Sequence, residues 1–131
     1  MSIEHIQLSQ KAKEQLVRLK RTTGIDSWNV LCRWSFCVSL AEPSVPARRK
    51  ILADSNVEMT WRVFAGSYSK TYMALLKERC VCDGFGVDRL TLATQFRLHL
   101  HRGISYLASD KKINGIDALV RKALAAQGVM P

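Results

Sequence analysis

Hydrophobic residues recur at helical spacing through much of the chain, beginning near its N-terminus. After Ser9, a favourable N-cap residue, Ala12, Leu16 and Leu19 follow at steps of four and three and define one face of a helix. Gly24 is expected to end this helix, because glycine adopts a positive φ angle at little steric cost. The pattern therefore predicts a first amphipathic helix between Ser9 and Gly24.

A second predicted helix is apolar around most of its circumference. Asp26 or Ser27 is the expected N-cap, the sequence WNVLCRWSFCVSL follows, and Pro43 and Pro46 lie beyond its end. A helix with hydrophobic residues on nearly all sides is buried on most of them, either in a core or at a contact between subunits.

Three further helices are expected in the second half of the chain. One covers about residues 68–82, one runs from about residue 88 to residue 101 or beyond with Gly103 as a candidate kink, and one opens near residue 114. The apolar face of the last helix is predicted to consist of Ile116, Leu119, Val120, Ala123 and Leu124.

The sequence also contains two β-like segments. Residues 57–64 alternate between apolar and polar side chains, which is the clearest strand pattern in the chain. Residues 3–8 form a weaker one that would pair at a sheet edge or across a dimer. With the two helices that follow, residues 3–41 resemble a ribbon-helix-helix arrangement, in which a strand pairs across a dimer and reads a DNA groove. Two packed helices after an irregular N-terminus account for the pattern equally well.

The predicted fold class is mainly α: a compact single-domain helical bundle of about five helices with one or two short strands, covering residues 1–131. A ribbon-helix-helix-like N-terminal segment remains open within it. A chain of 131 residues, 47% of them hydrophobic, is able to bury one core without disulfide bonds. No apolar run approaches the roughly 18 residues that cross a membrane, and no signal peptide is visible, so the cytoplasm is the expected compartment.

Charge adds a preference for a polyanionic partner. The net charge is +9, and it is unevenly distributed. Residues 1–24 hold five basic and two acidic side chains, residues 48–50 are all basic, and residues 97–131 hold six basic and two acidic side chains. The centre of the chain, residues 51–96, is balanced. The excess charge therefore lies at both ends and in one loop.

These basic segments supply the predicted DNA contacts. They are Lys11, Lys13, Lys20 and Arg21 in the first helix and Arg48, Arg49 and Lys50 in the loop after the second. A further set comprises Arg97, Arg102, Lys111, Lys112, Arg121 and Lys122. Neutralised phosphates release counterions, so binding through such residues weakens as the salt concentration rises. A merely solvated face is the alternative, and the sequence does not show which segments share one surface.

Cysteine and histidine residues raise one other class, a metal- or thiol-dependent enzyme. Cys80, Cys82, His99 and His101 offer four zinc ligands, but the cysteines are closer in sequence than zinc sites usually require, and histidines two residues apart point in different directions on a helix. The four cysteines are expected to be thiols. The sequence contains no phosphate-binding loop and no nucleophile motif, so no catalytic residue, metal or cofactor is expected.

Four stretches carry a resemblance to a known family. They are HIQLS at residues 5–9, WRVFAG at 61–66, YMALLKERC at 72–80 and FRLHLHRGI at 96–104. The last is the most specific, since its Arg-x-His-x-His-Arg-Gly string rarely arises by chance. These stretches resemble the DndE family, the small subunit of bacterial DNA sulfur-modification (phosphorothioation) systems, and the resemblance covers almost the whole chain.

The resemblance implies a small, mainly helical protein that assembles as a homotetramer and binds double-stranded DNA through basic surface residues. It implies a preference for nicked DNA and no sequence specificity. It also implies work beside a cysteine desulfurase, an iron-sulfur protein and an ATPase, which together replace a non-bridging phosphate oxygen with sulfur in a restriction-modification setting. No catalytic motif is attributed to this subunit, which is therefore expected not to be an enzyme.

A tetramer would also explain the apolar second helix. Trp28, Val30, Trp34 and Phe36 are too many large side chains for one small core, so some of them are expected to meet another subunit. Gly24, Trp28 and Trp34 are the predicted interface residues. The competing function is a ribbon-helix-helix-like transcriptional regulator, which would bind a specific operator as a dimer.

Overall fold

The computed structural model describes residues 5–126, which form helices joined to a small β-sheet. The helices are α1 (Gln10–Thr23), α2 (Trp28–Ala41), α3 (Trp61–Ala65), α4 (Ser69–Cys82), α5 (Arg89–Ser109) and α6 (Ile116–Ala126), with a 3₁₀ turn at Gly66–Tyr68. The strands are β1 (His5–Gln7) and β2 (Glu58–Thr60). The mainly α fold class is confirmed, since α1, α2, α4, α5 and α6 are the five expected helices. Residues 1–4 and 127–131 lie outside the described residues, as does the start of the expected segment 3–8.

The boundaries of α1 and α2 follow the predicted caps. The Ser9 side chain accepts a hydrogen bond from the backbone N–H of Ala12 at 3.1 Å, and Gly24 ends α1 with a φ of 77°. Ser27 is the N-cap of α2, which ends at Ala41. The signal at Ser9 succeeds because a cap residue acts on backbone groups within its own turn, whereas the Ser27 side chain makes no capping hydrogen bond.

The core forms where α5 packs against α2, the most extensive contact between two helices. Gly103 of α5 lies directly against the backbone of Ser35, because a Cβ atom added there would come within 1.6 Å of the Ser35 carbonyl oxygen. The helix continues through this glycine to Ser109. Gly103 thus permits the close approach of two helices, where the sequence suggested a kink.

Aromatic rings fill the centre of this core. Phe36, Phe64 and Phe96 are fully buried, and their ring centroids lie 5.0 to 5.9 Å apart. Trp61 extends the cluster at 5.3 Å from both Phe64 and Phe96. Tilted and edge-to-face pairs at these distances add to the stability gained by burying the rings.

The prediction of a strand over residues 57–64 is confirmed for residues 58–60 and wrong for the residues that follow. Strand β2 ends at Thr60, whose side chain accepts a hydrogen bond from the N–H of Val63 at 3.1 Å and so caps helix α3. Trp61, Phe64 and Ala65 are buried at helical spacing, while Val63 is 51% exposed. The capping bond and the helical contacts of this short segment outweigh its alternating pattern.

The ribbon-helix-helix arrangement is not the one formed. Strand β1 pairs in antiparallel register with β2 of the same chain, and Ile6 faces Met59. In a ribbon-helix-helix protein the corresponding strand pairs with the other subunit. The N-terminal strand therefore serves this chain's own sheet.

Helix α6 is only partly packed. Leu119 is fully buried, whereas Ile116 and Val120 are 52% and 44% exposed, so the predicted apolar face is split between core and surface. In the described part of the chain, no helix has the length and apolar character that a membrane crossing requires.

Candidate nucleic-acid interface

A groove lies between the N-terminal end of α1, the α2–β2 loop (residues 42–57) and α5. Its volume is about 380 Å³, and Lys11, Arg49 and Lys50 are among the residues that line it. Lys11 belongs to the predicted helix cluster and the other two to the predicted loop cluster, so the structure brings both clusters to one surface. Arg48 is exposed beside them. We call this site the basic groove.

Arg79 on α4 holds the first part of the loop in place. Its guanidinium group donates to the carbonyl oxygens of Leu40 and Glu42 at 2.9 and 2.8 Å. It also donates to Ser44 at 2.7 Å and pairs with Asp83 at 2.9 Å. The Arg79 and Asp83 side chains are only 11% and 8% exposed, so this pair is shielded from solvent. Arginine suits the position because its planar group carries five donors in fixed directions.

Two arginines of α5 hold the loop from another side. Arg102 donates to the carbonyl oxygens of Ser39 and Ser44 at 2.8 and 2.9 Å. Arg97 donates to the carbonyl oxygen of Ile51 at 3.2 Å. Both were predicted as phosphate contacts, but both guanidinium groups donate to backbone carbonyls of this chain, and the buried Nε atom of Arg97 has no hydrogen-bond partner among the described residues.

The last part of the loop is fixed to the N-terminal segment. Asp54 accepts a hydrogen bond from the backbone N–H of Gln10 at 2.7 Å, and the Ser55 hydroxyl donates to the carbonyl oxygen of Leu8 at 2.7 Å. Residues 48–50 therefore lie between two anchored stretches. A long loop without secondary structure gains a defined position in this way, and its basic side chains gain a defined place beside α1.

His101 joins α1 to α5 at the floor of the groove. Its Nε2 atom accepts from the backbone N–H of Ser9 at 3.2 Å, and its Nδ1–H donates to the carbonyl oxygen of Arg97 at 2.9 Å. Burial lowers the pKa of His101 from 6.5 to about 4, with the nearby charges of Arg97 and Arg49 acting in the same direction. The imidazole is therefore neutral at pH 7, and its role is to position the start of α1.

The electrostatics of the groove favour an anion. Four basic side chains line it, including Arg102, against the single carboxylate of Asp54, which is already hydrogen-bonded to α1. The first turn of α1 contains no acidic residue. Among the described residues, the Asp54 carboxylate is therefore the one acidic group at the N-terminus of α1, and the positive charge of the groove comes from the four basic side chains.

Three predicted residues of α1 lie outside the groove. The Lys13 ammonium group donates to the Asn56 side chain at 2.6 Å, and Lys20 lies 3.7 Å from the centre of the Trp28 ring. Arg21 is exposed in the last turn of α1. The predicted basic residues of α1 are thus spread along the helix. Only Lys11, at the N-terminal end, lines the same groove as the basic residues of the loop.

The candidate metal ligands do not converge. His99 contacts the Ser39 hydroxyl through Nδ1 at 2.8 Å, and burial together with two nearby arginines lowers its pKa to about 4. Cys80 is buried, whereas Cys82 is exposed and donates to Glu78. Within residues 5–126, no group of three histidine, cysteine, aspartate or glutamate side chains is placed to hold a metal ion.

The predicted interface residues lie on different parts of the surface. Trp34 lines a second groove of about 660 Å³ formed by α2, α5 and α6, whose lining also includes Tyr106 and Leu119. Trp28, which precedes Trp34 by six positions in α2, lies beneath the ammonium group of Lys20. Six positions of an α-helix amount to a change in direction of about 120°, so the two tryptophans face different ways.

Sequence reasoning did not identify the side chains that build the basic groove from within. Arg79 and His101 both lie in stretches that carry the family resemblance, but neither was assigned a role in holding the loop or α1. A signal was present, since an arginine or histidine among apolar helical residues requires a specific polar partner once it is buried. For Arg79 the loop partners Glu42 and Ser44 are 37 and 35 residues away, and for His101 the partner Ser9 is 92 residues away, so no local pattern encodes them.

Comparisons with known proteins agree with this fold. Residues 5–115 match the family model of DndE, described as a DNA sulphur modification protein. The crystal structure of DndE from Escherichia coli B7A, described as involved in DNA phosphorothioation modification, is similar with a TM-score of 0.68 and 22% identity. A crystal structure of a glycine-to-lysine mutant of DndE, described as involved in DNA phosphorothioation, is similar with a TM-score of 0.64 and 19% identity. Each similarity covers 82% of this chain and 98% of the other. No curated protein matches the chain.

Proposed function

Because the chain belongs to the DndE family of DNA sulphur modification proteins, we propose that it is a non-catalytic, DNA-binding accessory subunit of DNA phosphorothioation. In this role it binds duplex DNA through the phosphates, prefers a nicked duplex and has no sequence specificity. The observation that carries the proposal is the meeting of Lys11, Arg49 and Lys50 in one groove at the N-terminal end of α1.

The chemistry of these residues suits phosphate contacts. Exposed lysine and arginine side chains donate to phosphate oxygens, which fix the position of a protein on DNA but carry no sequence information. Lys11 and Arg21 are separated by ten residues of α1, which corresponds to about 15 Å along the helix axis. The basic side chains at the two ends of α1 are therefore far enough apart to contact different phosphates of one duplex.

The preference for a nick, the homotetramer and the named partners follow from the family resemblance. A tetramer would repeat the basic groove by symmetry and thereby present several positive surfaces to one duplex. The expected partners are a cysteine desulfurase, an iron-sulfur protein and an ATPase, and the cytoplasm, where the DNA lies, is the proposed compartment.

The test is a fluorescence anisotropy titration at two salt concentrations. It compares an intact duplex, the same duplex with one nick, and a duplex of unrelated sequence. We expect binding that is tight at low salt, stronger for the nicked duplex and indifferent to sequence. The variant Lys11→Ala/Arg49→Ala/Lys50→Ala should reduce the slope of log K against log salt by about 0.9 for each phosphate contact that is lost.

A matched variant separates the groove from total charge. Arg62, Lys70 and Lys77 are exposed and do not line the basic groove, so their triple alanine variant removes the same charge elsewhere. It should retain most of the affinity and most of the salt slope. Absence of binding at low salt, or equal losses in the two triple variants, would overturn the proposal. Strong preference for one sequence with no response to the nick would do the same.

A further inference from the structure

The basic groove contains more than cations. Leu52 of the loop is 57% exposed and Tyr106 of α5 is 41% exposed, and both line it, together with the buried Leu98. Phosphate contacts require none of these side chains. An exposed leucine or tyrosine needs no explanation by itself. Two of them in a groove that also contains Lys11 and Arg49 form an apolar wall beside a positive edge.

The Tyr106 ring is held in position. The guanidinium carbon of Arg102 lies 5.7 Å from the centre of the ring. Arg102 is itself fixed by hydrogen bonds to the carbonyl oxygens of Ser39 and Ser44. A ring supported in this way loses little conformational freedom when a second flat group packs against it.

Charge and shape together limit what fits. The volume of about 380 Å³ lies near the lower end of the roughly 300–1,000 Å³ found for small-molecule sites, so one unit is accommodated and a run of bases is not. A nucleotide provides both of the required parts, a flat base and a phosphate. Within a regular duplex the base is covered by its stacked neighbours, so the groove requires a nucleotide that has left the stack.

We propose that the basic groove holds one unstacked DNA nucleotide, with the base against Tyr106 and Leu52 and the phosphate on Lys11, Arg49 and Lys50. This inference rests on the proposed function and adds the unit that is recognised. It gives duplexes with an interrupted stack an advantage that phosphate contacts alone do not explain.

The experiment uses three DNA probes with the full-length protein: an intact duplex, a duplex with one extra unpaired 2-aminopurine nucleotide, and the same duplex with an abasic site in place of that base. Base–aromatic stacking predicts an affinity roughly 5- to 150-fold higher for the unpaired base than for the abasic site. The 2-aminopurine fluorescence should also change on binding, since it responds to stacking.

Variants identify the residues responsible. Tyr106→Ala should abolish both the preference and the fluorescence change, Tyr106→Phe should keep both, and Leu52→Ser should reduce them. Tyr68, which is 64% exposed and does not line the groove, provides the control Tyr68→Ala. Circular dichroism shows whether each variant is folded. If a Tyr106 variant loses structure, Leu52→Ser still tests the site, because Leu52 is exposed and its substitution is not expected to unfold the protein.

The outcomes of this experiment distinguish a failure of the nucleotide site from a failure of the proposed function. Equal affinity for the base and the abasic site, or a preference that survives Tyr106→Ala, would overturn the nucleotide site and leave duplex binding through phosphates intact. Failure of all three probes to bind at low salt would instead overturn the proposed function. A preference lost in Tyr68→Ala as much as in Tyr106→Ala would also count against the groove.

Discussion

The imidazole of His101 accepts a hydrogen bond from the backbone N–H of Ser9 across 92 residues of sequence, and this bond fixes the start of α1 on α5. The bond needs a neutral imidazole with an unprotonated Nε2 atom. Protonation would remove the acceptor and place a cation among Arg97, Arg49 and buried apolar side chains.

The first prediction concerns pH. The pKa of His101 is about 4 in the folded protein against an ordinary 6.5, so the unfolded chain takes up a proton below pH 6.5 that the folded chain does not. The free energy of unfolding should therefore fall between about pH 6.5 and pH 4, by up to roughly 3 kcal/mol for this histidine. His99 should contribute in the same direction. Urea unfolding at several pH values measures the slope.

Substitutions assign the slope to its source. His101→Gln keeps an acceptor for Ser9 but no group that titrates in this range, so its stability should depend less steeply on pH. His5 is exposed beside Glu58, and His5→Gln serves as the control, which should keep the steep dependence. An unchanged slope in His101→Gln would contradict a buried neutral imidazole.

The second prediction concerns the α2–α5 contact. Gly103→Ala should destabilise the protein by about 3 kcal/mol or more, because the new methyl group would overlap the Ser35 carbonyl and force the two helices apart. The higher helix propensity of alanine, about 1 kcal/mol, does not offset this. Thermal unfolding measures the loss. Gly115→Ala is the control, since its methyl group would meet nothing closer than 3.7 Å, and an equal loss there would contradict the steric explanation.

The third prediction concerns the clamp on the loop. Arg79→Lys keeps the charge but cannot reach Leu40, Glu42, Ser44 and Asp83 together. We expect faster tryptic cleavage at residues 48–50 and weaker binding to DNA, although no charge has been removed.

The matched control for this clamp is Arg62→Lys, which alters an exposed arginine of α3. It should leave both cleavage and binding unchanged. Cleavage in Arg79→Lys at the rate of the unaltered protein would show that the loop keeps its position without the clamp.

The fold and the groove differ in how far the sequence predicts them. The caps at Ser9 and Gly24 and the helical spacing of α1 act over a few residues, so local patterns were sufficient. The alternating pattern after Val57 led to a wrong strand prediction, because the Thr60 side chain caps a helix at this point. The spacing of the buried Trp61 and Phe64 is compatible with that helix.

The groove depends on contacts distant in sequence. Lys11 and Arg49 were both selected as DNA contacts, but their proximity depends on the path of the α2–β2 loop. That path is set by Arg79, Arg97 and Arg102, whose positive charges look in the sequence like further phosphate contacts. A count of charges cannot separate arginines that hold the loop from those that remain exposed, because the difference lies in which carbonyl groups are nearby.

The fourth prediction concerns assembly. Val30, Trp34, Cys37 and Ala41 follow one side of α2 at helical spacing, and all are at least partly exposed. Such a stripe is suited to a contact between copies of the chain, because joining two stripes removes both from water. Trp34→Arg should therefore shift the protein from the proposed tetramer to smaller species, as measured by light scattering against the chain mass of 14.8 kDa. The control Leu90→Arg places the same charge on a side chain that is 77% exposed and lies on α5, and it should leave the mass unchanged. An unaltered mass in Trp34→Arg would place the contact between subunits elsewhere, and a monomer before any substitution would contradict the tetramer itself.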